Sequence, residues 1–497
     1  MAMEQNNTNK KVVINSIIYT FSGLLLKCFS FFLLPLYTAY LTTDDYGINS
    51  IATSFIRTMG FIVAFSLFSA VLRFYVDLKD DEVKLKRFYG TIVCFVLLSG
   101  LAFFCLFFVF RDALSKYVFQ GIGYYPIILV STVSLIFHCL HSVFDNALKS
   151  QQKAMKCAIL SIAFFFVTLG FNIFFIVFLR MGALGTILAT CIAYFVYSVY
   201  FLVDMIVNKK IIFCLDISLL KSALKYSIPI MPHNLSTQIA VLISKVLIGD
   251  AASLGALGVY TTAAQFGQVA DTIQVYVDNA FGPWLYEKLN ARETGYKESI
   301  FSITKALIAV IGLMFIGISL FAHDYIVLFL PKSYVESWKY VPMIVLVYAI
   351  KTAYYFYVEI LFYYKKASRL LFTATLTSSL VNIVLSYYMI PAYGVQGSIM
   401  ADGIAMLIRV GIIITISKRF EDIGLKLRTF IGNFLLVASF IVVGLSLSWF
   451  KYPDRFSFVD FVFKIAVVLI YVLIIGISNR NHIEPLLKMI FRKFKKG

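Results

Sequence analysis

Apolar runs of about twenty residues recur along the whole of this chain, and their length and continuity decide what it can fold into. A helix needs roughly 20 consecutive apolar residues to cross about 30 Å of hydrocarbon, whereas a membrane-spanning strand is about half as long and alternates in polarity. The runs here do not alternate, so the chain reads as an all-α polytopic membrane protein. Composition agrees. With 60% hydrophobic and 14% charged residues over 497 positions, it has more apolar surface than a soluble domain of that size could bury.

Fourteen spans are expected, near residues 12–40, 47–76, 88–110, 124–145, 157–179, 183–207, 223–249, 255–282, 300–322, 341–364, 367–390, 395–417, 429–450 and 458–478. The longest connection, 323–340, is expected to carry a short interfacial helix (DYIVLFLPKSYVESW). The polar start MAMEQNNTNKK runs straight into a full-length span, which reads as the absence of a cleavable signal. Thirty Lys and Arg fall at one set of span ends and seven at the other. By the positive-inside rule this places both termini in the cytoplasm. The net charge of +18 is scattered through short loops and the tail, so no nucleic-acid partner is expected. The seven cysteines lack paired or metal-type spacing, read as small buried hydrophobes, and predict no metal.

The chain repeats itself. YGINSIATSF (46–55) is echoed by LGVYTTAAQF (257–266), so that Gly47, Ala52 and Phe55 match Gly258, Ala263 and Phe266. NIFFIVFLRMGALGTILAT (172–190) is echoed by NIVLSYYMIPAYGVQGSIMAD (382–402), pairing Gly182 and Gly185 with Gly394 and Gly397. Two six-span lobes are therefore expected, 1–218 and 219–420, related by an axis along the membrane normal; helices 13 and 14 and a basic tail occupy 421–497. Parallel repeats of this kind are an architecture of secondary transporters, with substrate bound between the copies.

Seven basic residues lie inside the spans. Lys27 is about 22 Å from the start of span 1 and Arg57 about 15 Å from the nearer end of span 2, too deep to reach either surface. They are read as lining a cavity. Lys245, near the end of span 7, is open between cavity and interface. Arg73 and Lys464 are expected to snorkel, and Lys351 and Arg409 to pair with Glu359 and Asp402 inside the second lobe. Polar stripes in span 7 (His233, Asn234, Gln238) and span 8 (Gln265, Gln268) complete the candidate substrate site. Pro229 and Pro232 should kink span 7. Asp271, Asp278 and Glu359 are candidates for ion coupling. His138, His141 and Asp145 share a face of span 4, read as a polar stripe or proton relay rather than a metal site.

A deep cavity carrying fixed cations selects an anion, with Arg suited to bidentate phosphate binding. There is no GxxxxGK[ST] motif, so no cofactor is expected and transport would draw on membrane potential or an H+ or Na+ gradient. PLYTAYLTTDDYGINSIATSF (35–55), together with the two glycine-spaced segments, resembles the polysaccharide transport family of the multidrug/oligosaccharidyl-lipid/polysaccharide exporter superfamily, above all its O-antigen-type flippases. The resemblance implies a flippase, not an enzyme, that turns undecaprenyl-diphosphate-linked oligosaccharide from the cytoplasmic to the periplasmic leaflet by alternating access. It implies that spans 1, 2, 7 and 8 line the cavity and that spans 13 and 14 hold the lipid tail. In related lipid II flippases, basic residues in comparable places to Lys27, Arg57 and Lys245 are functional; that family usually presents arginine in span 1. Membrane lipids, a polysaccharide polymerase and a chain-length regulator are the further partners implied. Two alternatives stand beside it: a cation-coupled multidrug exporter of the same superfamily, and an integral-membrane polysaccharide polymerase or ligase. The enzyme would need a large outer loop with catalytic Arg or His, and the longest here carries His323 alone.

Overall fold

The computed structural model describes residues 18, 21–364 and 370–478. The basic residues expected at 10–11, 365–369 and in the tail lie outside the described residues. Among the described residues there is no strand. The helices are α1 (Phe21–Tyr40), α2 (Thr43–Val63), α3 (Leu67–Leu78), α4 (Glu82–Val109), α5 (Leu129–Ser150), α6 (Ala154–Asn172) and α7 (Gly182–Val207). They continue as α8 (Ile217–Ala251), α9 (Leu254–Ala291), α10 (Tyr296–Phe329), α11 (Val341–Tyr363), α12 (Leu371–Phe420), α13 (Leu427–Gly444) and α14 (Phe458–Ser478).

Ten helices among the described residues are long and apolar enough to cross a membrane, eleven when the bent pair α2–α3 counts as one. This is a multi-pass membrane protein. The difference from fourteen has physical sources. α8 and α9 carry the polar stripes and fall outside that set. α12, at 50 residues, contains two expected spans joined across Gly394.

The contacts divide the chain into two compact units, Met1–Gly258 and Val259–Gly497. In the first, the TTDD stretch acts as a helix start. Thr42 Oγ1 accepts the Asp45 N–H at 3.1 Å while the Asp45 carboxylate accepts the Thr42 N–H at 3.1 Å, a capping box. The second Asp45 oxygen accepts the Ala183 N–H at 2.9 Å, tying the start of α7 to the start of α2. α8 packs along α2, with Thr58 Oγ1 donating to the Gln238 carbonyl at 3.2 Å. Its backbone stays helical through Pro229 and Pro232.

The repeat glycines have matching backbone roles. Gly182 and Gly394 both adopt left-handed φ, +54° and +56°, at the turns that open corresponding segments. Gly47 and Gly258 permit a reciprocal contact inside the first unit. A Cβ on Gly47 would lie 2.1 Å from the Leu254 carbonyl oxygen, and one on Gly258 would lie 1.9 Å from that of Thr43.

In the second unit, α14 and α13 pack on α10, with Tyr471 OH donating to the Ala309 carbonyl at 3.2 Å. Two expectations for this region are corrected. Residues 324–329 continue α10, and Lys332–Lys339 form a 3₁₀ turn whose Tyr334 and Trp338 are buried, so no interfacial helix forms. Lys464 does not snorkel. It is fully buried, its ammonium 2.8 Å from Asp324, 2.8 Å from Asp460 and 3.2 Å from His323 Nδ1. Those carboxylates make burial tolerable, and Asp324 is too distant in sequence for the pairing to be read from span 14. Arg73 is exposed and pairs with Asp77 at 2.6 Å.

Candidate substrate cavity

The span expected at 47–76 is broken rather than straight. Phe65 and Ser66 both take left-handed φ, 48° and 52°, and α3 leaves α2 at a bend of 49°. The carbonyls near the break find partners on neighbouring helices: Ser99 Oγ donates to Val63 O at 2.7 Å, and Cys139 Sγ lies 3.7 Å from Gly60 O. A cavity of about 260 Å³ lies beside this break, within the first unit.

Arg57 stands on its wall, about 21 Å into α2 from Thr43 at 1.5 Å per residue. It is exposed, and it makes no ion pair or hydrogen bond with any described residue. α2 also supplies Gly60 and Phe61, and α3 supplies Phe68. From α5 come His138, Ser142 and Asn146, and from α8 comes Gln238. The imidazole of His138 lies over Gly60, where a Cβ would approach its Cδ2 to 2.9 Å, and its buried Nδ1 has no hydrogen-bond partner. Asn146 donates Nδ2 to the Ser142 carbonyl at 2.8 Å. Among the described residues that line it, none is acidic. The arrangement is a recess of mixed polar and aromatic lining with a cation on its wall, suited to binding an anion and hydroxyl groups.

Of the sequence candidates, Arg57, His138 and Gln238 come together here. Lys245 lies beside them: its ammonium donates to Ser54 Oγ at 2.8 Å, and Ser54 is one turn from Arg57 on the same face of α2. Lys27 is exposed on α1 and is not on the cavity wall. The neighbouring Phe29, about 200° round the helix, packs on Phe165 and Phe166 of α6 at 5.7 and 6.3 Å. His233 and Asn234 are half-buried on α8. His141 packs against Tyr197 in a tilted pair with centroids 4.4 Å apart, and Asp145 pairs with Lys149 at 2.6 Å.

Gln265 is half-buried and Gln268 exposed on α9, in the second unit. The charges there pair differently from expectation. Lys351 binds Asp271 at 2.7 Å, with Tyr355 OH donating to the same oxygen at 3.0 Å, and does not pair with Glu359. Glu359 instead accepts from Tyr286 and faces Asp278. Arg409 donates to Ser378 Oγ at 2.8 Å, while Asp402 accepts from Asn382 at 2.7 Å. Each acid hydrogen-bonds a neutral side chain, Glu359 with Tyr286 of α9 and Asp402 with Asn382 across the break in α12. Gln274, missed in the sequence, is buried between α9 and α11 and donates to Tyr348 O at 2.8 Å and Thr352 Oγ1 at 2.6 Å. Ser142 and Asn146 were also missed, although with His138 they repeat every four residues along one face of α5.

Comparison with known proteins agrees with this fold. A structure titled lipid II flippase MurJ, inward closed conformation, matches with a TM-score of 0.69 at 17% identity, covering 95% of this chain and 100% of that one. An inward-facing multidrug resistance MATE transporter of the MOP superfamily matches with a TM-score of 0.55 at 16% identity, covering 82% and 94%. A MOP superfamily transporter from Pyrococcus furiosus matches with a TM-score of 0.50 at 14% identity, covering 83% and 97%. No curated protein sequence matches the chain. The family model described as "Polysaccharide biosynthesis protein" matches residues 39–339, from the end of α1 to the start of α11. Matched over more than half its length, the chain belongs to that polysaccharide biosynthesis family, carried on the helical fold of the MOP superfamily.

Proposed function

We propose that this protein is a flippase for a lipid-linked oligosaccharide, moving an undecaprenyl-diphosphate-linked O-antigen or capsular repeat unit from the cytoplasmic to the periplasmic leaflet by alternating access. The observation that carries the reading is Arg57: an arginine in mid-span, on a cavity wall, with no carboxylate paired to it among the described residues. An unpaired charge at that depth costs at least about 2.5–3.5 kcal/mol, a cost offset when a phosphate arrives to accept its two parallel hydrogen bonds. Lys245 adds a second cation within one turn of α2, and Lys27 is the further candidate from α1. Family membership and a fold shared with a protein titled lipid II flippase support the same reading. A drug exporter capturing cations would need carboxylates on this wall, and none is there.

Exporting a diphosphate from an inside-negative cell would gain roughly 4–5 kcal/mol per 100 mV. Asp271, Asp278 and Glu359 are the groups through which an H+ or Na+ gradient could add to that. The test is Arg57→Ala in a strain whose surface polysaccharide depends on this gene. Export should fall below about one tenth of normal, with the lipid-linked intermediate accumulating and the protein still in the membrane. Normal surface polysaccharide in that variant would refute the reading.

A further inference from the structure

The cavity beside Arg57 is small and two-sided in character, and this narrows its occupant further than charge alone. Its 260 Å³ lies just below the roughly 300–1,000 Å³ of pockets that enclose drug-sized ligands. That is room for one sugar ring and a phosphate.

Part of the wall is aromatic. Phe61 and Phe68 stand on either side of the helix break with ring centroids 5.4 Å apart in a T-shaped pair. The remainder is hydrogen-bonding. His138 lines the wall with its ring, while its Nδ1 is buried away from any occupant of the cavity. Asn146 gives its amide hydrogen to Ser142 O and keeps Oδ1 as an acceptor. Gln238 lends its backbone carbonyl to Thr58, leaving its side-chain amide directed at no described partner. A pyranose has the same division. Its axial C–H face is apolar and suits the negative face of an aromatic ring, while its rim of hydroxyls both donates and accepts.

We propose that this cavity is a subsite for a glycosyl phosphate: one pyranose ring stacked on the Phe61–Phe68 pair, its hydroxyls on Asn146 and Gln238, and its phosphate on Arg57. The inference rests on the flippase reading for the origin of the ligand, and it adds that recognition is of the single ring that bears the phosphate. Arg57 anchors any phosphate; the aromatic pair and the α5 stripe distinguish a sugar phosphate from a bare one.

The test uses the purified full chain and follows thermal stability against ligand concentration. The probes are inorganic phosphate, glucose, glucose 1-phosphate, and glucose linked through a diphosphate to a short farnesyl chain. Glucose 1-phosphate should half-saturate at about tenfold lower concentration than phosphate, and glucose alone should give no shift below that range. Phe68→Leu and, independently, Asn146→Leu should remove this advantage while the phosphate response persists, which also reports that each variant is folded. Arg57→Gln should abolish both responses. An equal advantage for the farnesyl probe assigns the ligand to lipid-linked sugar; an advantage confined to glucose 1-phosphate assigns it to a soluble sugar phosphate. Either supports the subsite. Phosphate and glucose 1-phosphate binding equally to the unaltered protein would overturn it, as would an advantage untouched in both variants. Failure of the flippase reading looks different: export would survive Arg57→Ala while the binding pattern held.

Discussion

Replacing Lys464 by methionine would leave Asp324 and Asp460 facing each other with no cation between them. Both are buried, at 4% and 0% exposure, and each already has one carboxylate oxygen without a hydrogen-bond partner. The remaining contacts are the Ser448 hydroxyl, which donates to Asp460 at 2.8 Å, and His323, whose Nε2 is 2.9 Å from the Tyr452 carbonyl. With Nε2–H donated there, Nδ1 is left to accept from the Lys464 ammonium at 3.2 Å. Removing one partner from a buried ion pair costs about 3–5 kcal/mol. The unit concerned, Val259–Gly497, is about 240 residues. At roughly 2.1 cal/mol/K per residue its unfolding entropy is near 0.5 kcal/mol/K, so the midpoint should drop by about 6–10 °C. Thermal unfolding of the purified protein in one fixed detergent measures this. The triple variant Lys464→Met, Asp324→Asn, Asp460→Asn should recover most of the loss, because apolar or neutral replacement of a whole buried ion cluster is often nearly neutral. A Lys464→Met midpoint within about 1 °C of the parent is what a lysine reaching the interface would give, and would refute the buried cluster.

Two further outcomes follow from backbone geometry. Gly258→Val would place a side chain within 1.9 Å of the Thr43 carbonyl oxygen, which no rotamer relieves; the protein should fail to elute as a single folded species, whereas Gly403→Ala, 3.5 Å from Val347, should elute normally. Ser66→Gly should raise the unfolding midpoint by a few degrees, since it removes about 1–2 kcal/mol of left-handed strain and loses only a buried hydroxyl that has no partner.

The features legible in the sequence were those set by local chemistry. Continuous apolar runs gave the helices. The internal repeat anticipated that Gly182 and Gly394 share a backbone role, and both are left-handed. Arg57 was legible because depth in a span needs only a residue count. What was not legible depends on partners remote in sequence. Nothing in GFIVAFSLF announces a break: no proline falls in it, and Gly60 lies before the turn. The Val63 carbonyl there is met by Ser99 of α4, and Cys139 of α5 adds a contact to the Gly60 carbonyl, which also accepts from Ala64 N–H. Lys464 is buried because Asp324 arrives from α10. On α5 the polar face could be drawn through His138, His141 and Asp145 or through His138, Ser142 and Asn146. Periodicity alone does not choose between them; Tyr197 and Lys149 claim the first set and leave the second to the cavity.

The break in α2–α3 and the cavity belong to one argument. Two consecutive non-glycine residues in the left-handed region cost about 1–2 kcal/mol each, and such strain persists where surrounding structure holds it in place and clusters at functional sites. Here the consequence of the strain is measurable. On an unbroken helix, Phe61 and Phe68 would lie seven residues apart, about 10.5 Å along the axis, and their rings could not meet edge to face. The turn at Phe65 and Ser66 brings the centroids to 5.4 Å, one turn beyond Arg57. A straight span would therefore keep the cation and lose the aromatic pair. It would still attract phosphate but would have nothing on which to seat a sugar ring, which makes the strained break, more than the charge, the feature that separates a sugar-phosphate site from a general anion site.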